Sequence, residues 1–325
     1  MKVNYIFRKR LQQFNSIEEL FYSIKAALVT DNLIKVTSVP FSGGSPNTIL
    51  KNLKAFSKEK ETVYHITGDV HYMALVTGKK TILTIHDIGS AFQGNVLKQL
   101  YIKLFWFWLP AIFVKKITVI SEFTKKELSK IIPFAIQKIV VIPNPVNSKL
   151  NYTPETFNTT SPQILLIGTK PNKNLERTFE ALQGVTCKLY IVGKLTEKQS
   201  DLLKKYNLEF INVFHVPYDS IVKAYQDSDL VLFASTYEGF GMPIIEAQAI
   251  GRPVVTSGLG AMKEVANNSA CLVDPYDVKS IRDGVQRVID NAEFRGTLID
   301  QGKENIKRFQ LEIIAKQYQD LYKSI

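Results

Sequence analysis

Short apolar runs, rich in β-branched residues, alternate with amphipathic segments along this chain. In the first half the apolar runs are KVNYIF, IKVTSV, TVYHIT, TILTIHD, ITVIS and KIVVIP. The fourth run is nearly all apolar, as expected of a strand buried on both faces of a sheet. Between the last two runs, EFTKKELSKII has the apolar spacing of a helix. Strand, helix and strand in this order predict a doubly wound parallel sheet.

One polar segment near the middle of the chain interrupts this pattern. Residues 148–162, SKLNYTPETFNTTSP, contain two prolines and no periodicity, which is typical of a linker. Five apolar runs follow it: QILLIG, KLYIVG, FINVFHV, LVLFAS and PVVTS. We therefore predict an α/β protein with two Rossmann-like domains, 1–148 and 149–306, that face a central cleft with the carboxyl ends of their sheets. A C-terminal helix over 307–325 is expected to pack back on the first domain.

Charge is distributed unevenly between the two halves. The formal net charge is +11; residues 1–150 hold 21 Lys/Arg against 9 Asp/Glu, and the remainder has a net charge of −1. Two explanations stay open: the first half meets an anionic membrane or a phosphate-bearing lipid, or its lysines only solvate the surface. Nucleic acid is not expected as a partner, because no nucleic-acid-binding motif accompanies the charge.

The cysteines and the apolar windows indicate the compartment. Cys187 and Cys271 are far apart and lack metal-type spacing, which suits a reducing cytoplasm. The N-terminus has no long apolar region, so no signal peptide is expected. The most apolar window, Leu97–Val114, contains two lysines and a proline and is shorter than the ~20 residues of a membrane span. We expect a cytoplasmic protein in which this helix touches the inner face of the membrane.

The stretch Ser235–Ala247, STYEGFGMPIIEA, carries most of the candidate chemistry and follows the buried run LVLFA. Gly239 and Gly241 allow a tight turn and close approach of a ligand. A glycine turn that leads into a helix N-terminus binds phosphate through unpaired backbone N–H groups and the helix dipole. Glu238 lies in the turn and Glu246 about one turn inside the helix. One carboxylate can therefore face the sugar side of a bound diphosphate, and the other its ribose side.

This stretch resembles the retaining family-4 glycosyltransferases, which carry two glutamates separated by seven residues. Glu238 and Glu246 have that spacing within the same EGFG-P---EA frame. Similar family elements are ILLIGTKPNKNL, AYQDSDLVLFAS, GRPVVTS and KEVANNSACLVDP in the second half, and TILTIHD, ITVISEFTKKEL and VIPNPV in the first. The resemblance covers most of residues 62–290. It implies a GT-B fold and retaining transfer of a hexose-type sugar from a UDP- or GDP-sugar to a hydroxyl of a surface polysaccharide, lipopolysaccharide or lipid-linked glycan.

The resemblance also implies roles for individual residues. Glu246 would bind the donor ribose, Glu238 the transferred sugar, and His86 would face that sugar from the first domain. Lys173, together with Lys170, would neutralise the diphosphate leaving group. The other predicted donor contacts are Gly168, Thr169, Val216, Gly239, Phe240, Gly241 and Met242. No metal and no other cofactor is implied.

Two features depart from the family or suggest another chemistry. The loop after the first strand lacks the family's glycines and begins Arg8-Lys9-Arg10, so these side chains are candidates for contact with a donor or acceptor phosphate. Asp227-Ser228-Asp229 spells the DxD that holds a metal in other transferases. Its place between a helix and a buried strand favours a structural role for Asp229 instead.

Two other functions remain as alternatives. The first is a module that binds nucleotide sugars without turnover. The second is an epimerase with the same fold. The presence of Glu238, Lys173 and His86 argues against the first alternative. The Glu-x7-Glu frame argues against the second.

Overall fold

The computed structural model describes residues 1–9, 16–28, 33–92 and 94–325, without the side chain of Ser90. It contains two compact units, Met1–Pro145 with Leu311–Ile325, and Val146–Gln310. Each unit holds a six-stranded sheet in which every pairing is parallel. The prediction of two Rossmann-like α/β domains is confirmed. The division falls just before the predicted residue 148, because the Val146 N–H already donates to the Phe309 carbonyl of the second unit at 2.8 Å.

The strands and helices follow one another in the order expected of doubly wound sheets. The strands are β1 Lys2–Phe7, β2 Leu33–Ser38, β3 Thr62–Ile66, β4 Thr81–Ile85, β5 Lys116–Val119, β6 Ile139–Val141, β7 Gln163–Ile167, β8 Lys188–Val192, β9 Glu209–Val213, β10 Leu230–Phe233, β11 Val254–Ser257 and β12 Cys271–Val273. The helices are α1 Ser16–Ala27, α2 Pro46–Ala55, α3 Ala74–Thr77, α4 Val96–Ile102, α5 Leu109–Phe113, α6 Glu122–Ile131, α7 Leu175–Leu182, α8 Glu197–Lys205, α9 Tyr218–Gln226, α10 Met242–Ile250, α11 Gly260–Ala266, α12 Val278–Asp290, α13 Ala292–Asn305 and α14 Leu311–Lys323.

The sheet of the first unit has the strand order β2-β1-β3-β4-β5-β6. Strand β1 pairs with β2 on one side and β3 on the other. The chain therefore winds outward from β1 in both directions, and the topological switch point lies between β1 and β3. Ligands of such sheets bind in the crevice outside the carboxyl ends of the strands at this point.

The sheet of the second unit has the order β12-β11-β10-β7-β8-β9. Read from β9, this is the order of the dinucleotide-binding fold, and its switch point lies between β7 and β10. Strand β12 is absent from the strands predicted by pattern. The loops after β7 and β10 carry the predicted donor motifs, so strand order brings them together.

The C-terminal helix is shorter than predicted. Residues Ile306–Phe309 form a 3-10 turn, and Gln310 is extended with φ −64° and ψ 139°. Helix α14 therefore begins at Leu311 and not at 307, and the residues before it belong to the second unit. As predicted, α14 packs on the first unit, where its buried side chains share one apolar cluster with β1 and α1.

Residues Val96–Phe113 form a continuous helical segment on the first unit, because the π-helix Lys103–Trp108 joins α4 to α5. Phe107 and Ala111 on this segment are buried in the core of the unit. Val96 and Leu97 are 78% and 76% exposed. By length and composition alone, the segment is long and apolar enough to cross a membrane. This differs from the prediction that the apolar window Leu97–Val114 is too short for a span. At its other end Ile112 is 57% exposed, so both ends of the segment expose apolar side chains.

Candidate functional site

Two loops meet at the switch point of the second unit. The first follows β7, and the second joins β10 to α10. The N–H of Thr236 donates to the carbonyl of Asn172 at 2.8 Å. Asn174, which has a left-handed φ of 60°, donates from its side-chain amide to the Ala234 carbonyl at 3.1 Å. These bonds fix one loop against the other.

An ion pair joins the two loops. Lys173 Nζ lies 2.7 Å from Glu238 Oε1, and each side chain is 17% exposed. The same oxygen accepts from Asn172 Nδ2 at 3.0 Å, and the ammonium lies 4.6 Å from the ring centroid of Phe233, within cation–π range. Gly168 has a φ of 89°, which favours glycine, and a Cβ there would come 2.8 Å from Lys173 Cε. The crevice thus holds an oriented cation and an oriented carboxylate.

Glu246 is held beside this pair by two tyrosines of α9. Its Oε2 accepts from the Tyr225 hydroxyl at 2.7 Å, and its Oε1 from the Tyr218 hydroxyl at 3.4 Å. Burial raises the pKa of Glu246, and the two hydroxyls and the Lys173 cation partly oppose this rise. Because the tyrosines are two helical turns apart, both face α10. The carboxylate therefore has one fixed orientation.

Helix α10 begins directly after the glycine turn. Gly241 is its N-cap, with φ 110° and ψ 53°, and a Cβ there would lie 3.1 Å from Ile244 Cδ1. Phe240 is 3% exposed, and its ring packs edge-on against Phe309 at 5.6 Å. The Phe240 side chain is therefore core, and its backbone is the part that can meet a ligand. Gly239 lies in the same turn, and Met242 is the first residue of the helix.

The remaining predicted donor contacts lie on the loops after β7 and β9. The Thr169 hydroxyl donates to the Lys194 carbonyl at 2.7 Å, and the Thr169 carbonyl accepts from Gln199 Nε2 at 3.0 Å. The Lys170 side chain is exposed and Val216 is half-buried. The structure therefore ties Thr169 to the segment after β8, which leaves Lys170 as the more accessible of the two.

His86 lies in the first unit, immediately after β4. Its Nε2 donates to the carbonyl of Thr67 at 2.8 Å, so Nδ1 is the acceptor of the neutral ring. Burial lowers the pKa of His86. A Cβ at Gly68 would come 3.1 Å from the imidazole. The ring is thus a neutral imidazole held in one tautomer at the carboxyl end of the sheet.

The DxD segment plays the structural role predicted for it. The Asp229 carboxylate accepts from the backbone N–H groups of Asn158 at 2.7 Å and Gln163 at 2.8 Å. Within the described parts of the chain, no group of three or more His, Cys, Asp or Glu side chains is placed to hold a metal ion.

Arg8 and Lys9 of the basic loop after β1 are among the described residues. Arg8 binds the carboxylates of Glu18 at 2.8 Å and Asp69 at 2.5 Å. Arg10 lies outside the described residues. The guanidinium predicted to meet a phosphate is therefore already neutralised by two carboxylates.

Sequence reasoning missed two side chains of this site. The first is Tyr225, which lies seven residues after Tyr218 on the same helix, a spacing that could have revealed it. The second is Asn172, which no sequence pattern marks, because its hydrogen bond to Glu238 depends on the order of the strands. Both residues orient a predicted carboxylate.

Two Rossmann-like units, one with paired charges at its switch point, define a protein of the GT-B class. The model of the group 1 glycosyl transferases matches residues 151–305, and that of Glycosyltransferase Family 4 matches residues 28–150. Together they account for most of the chain. The chain belongs to the group 1, family 4 glycosyltransferases. It is therefore a transferase enzyme, as predicted.

Individual proteins show the same likeness. An uncharacterized glycosyltransferase of Methanocaldococcus jannaschii is 24% identical over 250 residues, which cover 75% of this chain and 68% of the relative. The O-antigen chain mannosyltransferase RfbU of Salmonella typhimurium is 27% identical over 221 residues, which cover 63% and 60%. The crystal structure of Anabaena HepE with UDP and glucose has a TM-score of 0.78 at 14% identity and covers both chains fully. That structure is similar in fold.

Proposed function

We propose that this enzyme moves a hexose-type sugar, with retention of configuration, from a UDP- or GDP-sugar to a hydroxyl of a surface polysaccharide, lipopolysaccharide or lipid-linked glycan. The Lys173–Glu238 pair at the switch point, beside the start of α10, carries this proposal. The names of the relatives support it, since one is an O-antigen chain mannosyltransferase and HepE is bound to UDP and glucose. The reaction requires no metal and takes place in the cytoplasm.

The charges suit departure of a diphosphate. Breaking a glycosyl–phosphate bond builds negative charge on the phosphate and positive charge on the sugar. Lys173 and the N–H groups at the start of α10 stabilise the first charge, and Glu238 the second. The donor diphosphate competes with Glu238 for the lysine, so the ion pair opens as the donor binds. The acceptor hydroxyl attacks the face from which the diphosphate leaves, and its proton passes to the departing phosphate oxygen as the sugar–phosphate bond breaks.

The other predicted residues position the donor. Glu246 accepts hydrogen bonds from the ribose hydroxyls, and Tyr225 keeps its carboxylate in place. Lys170 adds positive charge near the diphosphate. His86 binds the donor sugar from the first unit as a neutral imidazole.

Glu246→Gln is expected to weaken donor binding by about tenfold or more. A hydrogen bond to a charged group contributes about 1.5–3 kcal/mol, and each 1.4 kcal/mol is about tenfold in Kd. Isothermal titration with UDP-, GDP-, ADP- and dTDP-sugars in EDTA measures this and identifies the base. Glu293→Gln, at an exposed glutamate of α13, is the matched control and should bind as wild type does.

Three outcomes of that titration would contradict parts of the proposal. If no nucleotide sugar binds, with EDTA or with Mg²⁺, the second unit is not a donor site. Binding that appears only with Mg²⁺ would contradict the metal-free reaction. Equal Kd values for wild type and Glu246→Gln would remove Glu246 from the site.

We also propose that the first unit docks on the anionic inner face of the cytoplasmic membrane. The surface consists of the outward side of Val96–Phe113 and the residues beside it. Phe92 is 55% exposed and Leu100 is 50% exposed, and Lys103 Nζ lies 5.4 Å from the Phe92 ring centroid. Apolar side chains ringed by lysines are typical of helices that lie in the headgroup region of a bilayer. The excess positive charge of this half supports an anionic lipid surface.

The double variant Val96→Glu/Leu97→Glu is expected to reduce binding to anionic vesicles at least tenfold. Insertion of one such side chain contributes about 1.5–3 kcal/mol, and both are too exposed to affect folding. Co-sedimentation with phosphatidylglycerol/phosphatidylcholine vesicles measures the effect. Ile211→Glu, at a 55% exposed position of the second unit, is the control. Equal binding to anionic and to pure phosphatidylcholine vesicles would contradict the proposal.

A further inference from the structure

A cavity of about 210 Å³ lies at the switch point of the first unit's sheet. Its walls come from the segments after β1, β2 and β3 and from the π-helix; they include Arg8, Phe41, Gly43, Asp69, Tyr72 and Trp106. Parallel α/β sheets bind ligands at this position. The volume is below the about 300 Å³ at which pockets for drug-sized ligands begin. It suits a single ring rather than a nucleotide sugar.

Hydrogen bonds hold the Trp106 wall in place. The Trp106 Nε1–H donates to the Asp69 carbonyl at 2.6 Å. A Cβ at Gly44 would lie 2.5 Å from the indole, so the ring rests directly on glycine backbone. The Tyr101 hydroxyl donates to the Gly44 carbonyl at 2.8 Å. The indole therefore needs little reorganisation to bind a ligand.

The opposite loop is fixed by Asn52, whose side chain is buried. Asn52 accepts from the Phe41 N–H at 3.0 Å and donates to the Phe41 carbonyl at 2.9 Å. It also donates to the Tyr72 hydroxyl at 2.7 Å. Phe41 and Tyr72, both in the cavity lining, are thus held by the same side chain. The cavity is therefore formed before a ligand binds.

The charges at the rim nearly cancel. Arg8 lies between the carboxylates of Glu18 and Asp69, and the Asp69 side chain is 56% exposed. Lys9 also borders the cavity. An anion entering here would meet the Asp69 carboxylate, whereas a hydroxyl could donate to Asp69 and accept from a cation. The rim is therefore suited to a neutral polyhydroxyl compound.

We propose that this cavity binds one neutral sugar ring of the acceptor, stacked on Trp106 and hydrogen-bonded to Asp69 and Arg8. This rests on the proposed glycosyl transfer. Aromatic faces pack against the apolar C–H face of a pyranose, and a carboxylate paired with a guanidinium matches its hydroxyls. A Cβ at Gly68, the residue before Asp69, would lie 3.1 Å from the His86 ring, so the bound sugar lies near the residue proposed to face the donor sugar.

Fluorescence of a single tryptophan tests the inference. The chain has two tryptophans, so Trp108→Phe leaves Trp106 as the only reporter. We expect saturable changes with at least one of methyl glucoside, mannoside, galactoside or N-acetylglucosaminide, with Kd roughly in the millimolar range for ligands of this size. Glucuronate and inorganic phosphate should bind at least fivefold more weakly. Saturation-transfer NMR on the wild-type protein repeats the titration without the substitution.

Asp69→Asn in the same background should weaken glycoside binding at least fivefold. Asp69 has a φ of 56°, and asparagine tolerates this left-handed conformation well, so the loop is retained. Glu61→Gln is the matched control, since Glu61 is also left-handed at φ 51° and lies exposed on the surface.

Each outcome decides for or against the inference. No saturable signal up to 100 mM glycoside by either method, or an unchanged Kd in Asp69→Asn, would overturn it. Phosphate binding tighter than every glycoside, and tighter still in Asp69→Asn, would show an anion site instead. Donor titrations on the same proteins separate the two proposals, because loss of donor binding contradicts the proposed function and loss of glycoside binding contradicts this cavity.

Discussion

Glu238→Gln should lower kcat/KM by about 10²- to 10³-fold while the Kd for the free nucleoside diphosphate stays within about threefold of wild type. Loss of one preorganised electrostatic contact to a transition state has this magnitude. The glutamine keeps the shape of the side chain, and its carbonyl oxygen can still accept from Lys173 and Asn172 at the positions that Glu238 Oε1 occupies. The negative charge is removed, and the second carboxylate oxygen becomes an amide donor.

The expected separation of kcat/KM from nucleotide affinity has a physical reason. Positive charge on the sugar develops in the transition state and is absent from the bound nucleotide. A carboxylate that stabilises this charge therefore contributes to turnover and little to nucleotide binding. The neutral amide attracts Lys173 less strongly than the carboxylate does, which makes weaker diphosphate binding still less expected.

Steady-state kinetics with the donor found by titration, together with calorimetry of the free nucleotide, measures both quantities. Glu293→Gln serves again as the control and should retain wild-type kinetics. Activity within fivefold of wild type would show that Glu238 does not act on the sugar. An equal loss of nucleotide affinity would show that its role is to position the loop.

Ending the chain after Gln310 should prevent the first unit from folding. Helix α14 contributes Ile314, Tyr318, Leu321 and Tyr322 to the apolar cluster of that unit. At ~1.5–3 kcal/mol for each buried side chain, their loss costs about 6–12 kcal/mol, which equals the whole stability of a typical domain of about 5–15 kcal/mol. Calorimetry and limited proteolysis are expected to show no cooperative transition for the first unit.

A buried hydrogen-bonded chain adds to this dependence on α14. The Tyr322 hydroxyl donates to Tyr5 Oη at 3.1 Å and lies 2.7 Å from His65 Nδ1. His65 Nε2 lies 2.7 Å from the Thr84 hydroxyl, and burial lowers the pKa of His65 to about 3. The imidazole is therefore neutral, and removal of α14 leaves it without one partner.

Two milder variants make the test graded. Tyr322→Phe should cost about 1–3 kcal/mol, because it leaves a buried polar group unsatisfied. Glu312→Gln, on the exposed side of α14, should cost nothing measurable. A truncated protein whose first unit melts within a few degrees of the full chain would contradict the assignment of α14 to its core.

Much of the fold and of the candidate site follows from local pattern. The runs from KVNYIF to PVVTS predict the strands from β1 to β11 because buried strands need continuous apolar residues. The EGFG-P---EA frame predicts a glycine turn into a helix because Gly241 and Pro243 suit those positions. Strand β12 and the start of α14 were not predictable in this way. The start of α14 depends on the extended backbone at Gln310.

Local sequence pattern does not determine which loops become neighbours in the folded protein. The types and spacing of Glu238, Glu246 and Lys173 can be seen in the sequence. They predict the site because the turn and helix around them depend on only a few neighbouring residues. The bonds from Lys173 and Asn172 to Glu238, and from Tyr225 to Glu246, exist because β7 lies next to β10 and α9 faces α10. The Arg8–Asp69 cavity likewise needs β1 beside β3. Strand order depends on burial of apolar surface over the whole sheet. Because this free energy comes from contacts between residues far apart in sequence, no short segment determines it.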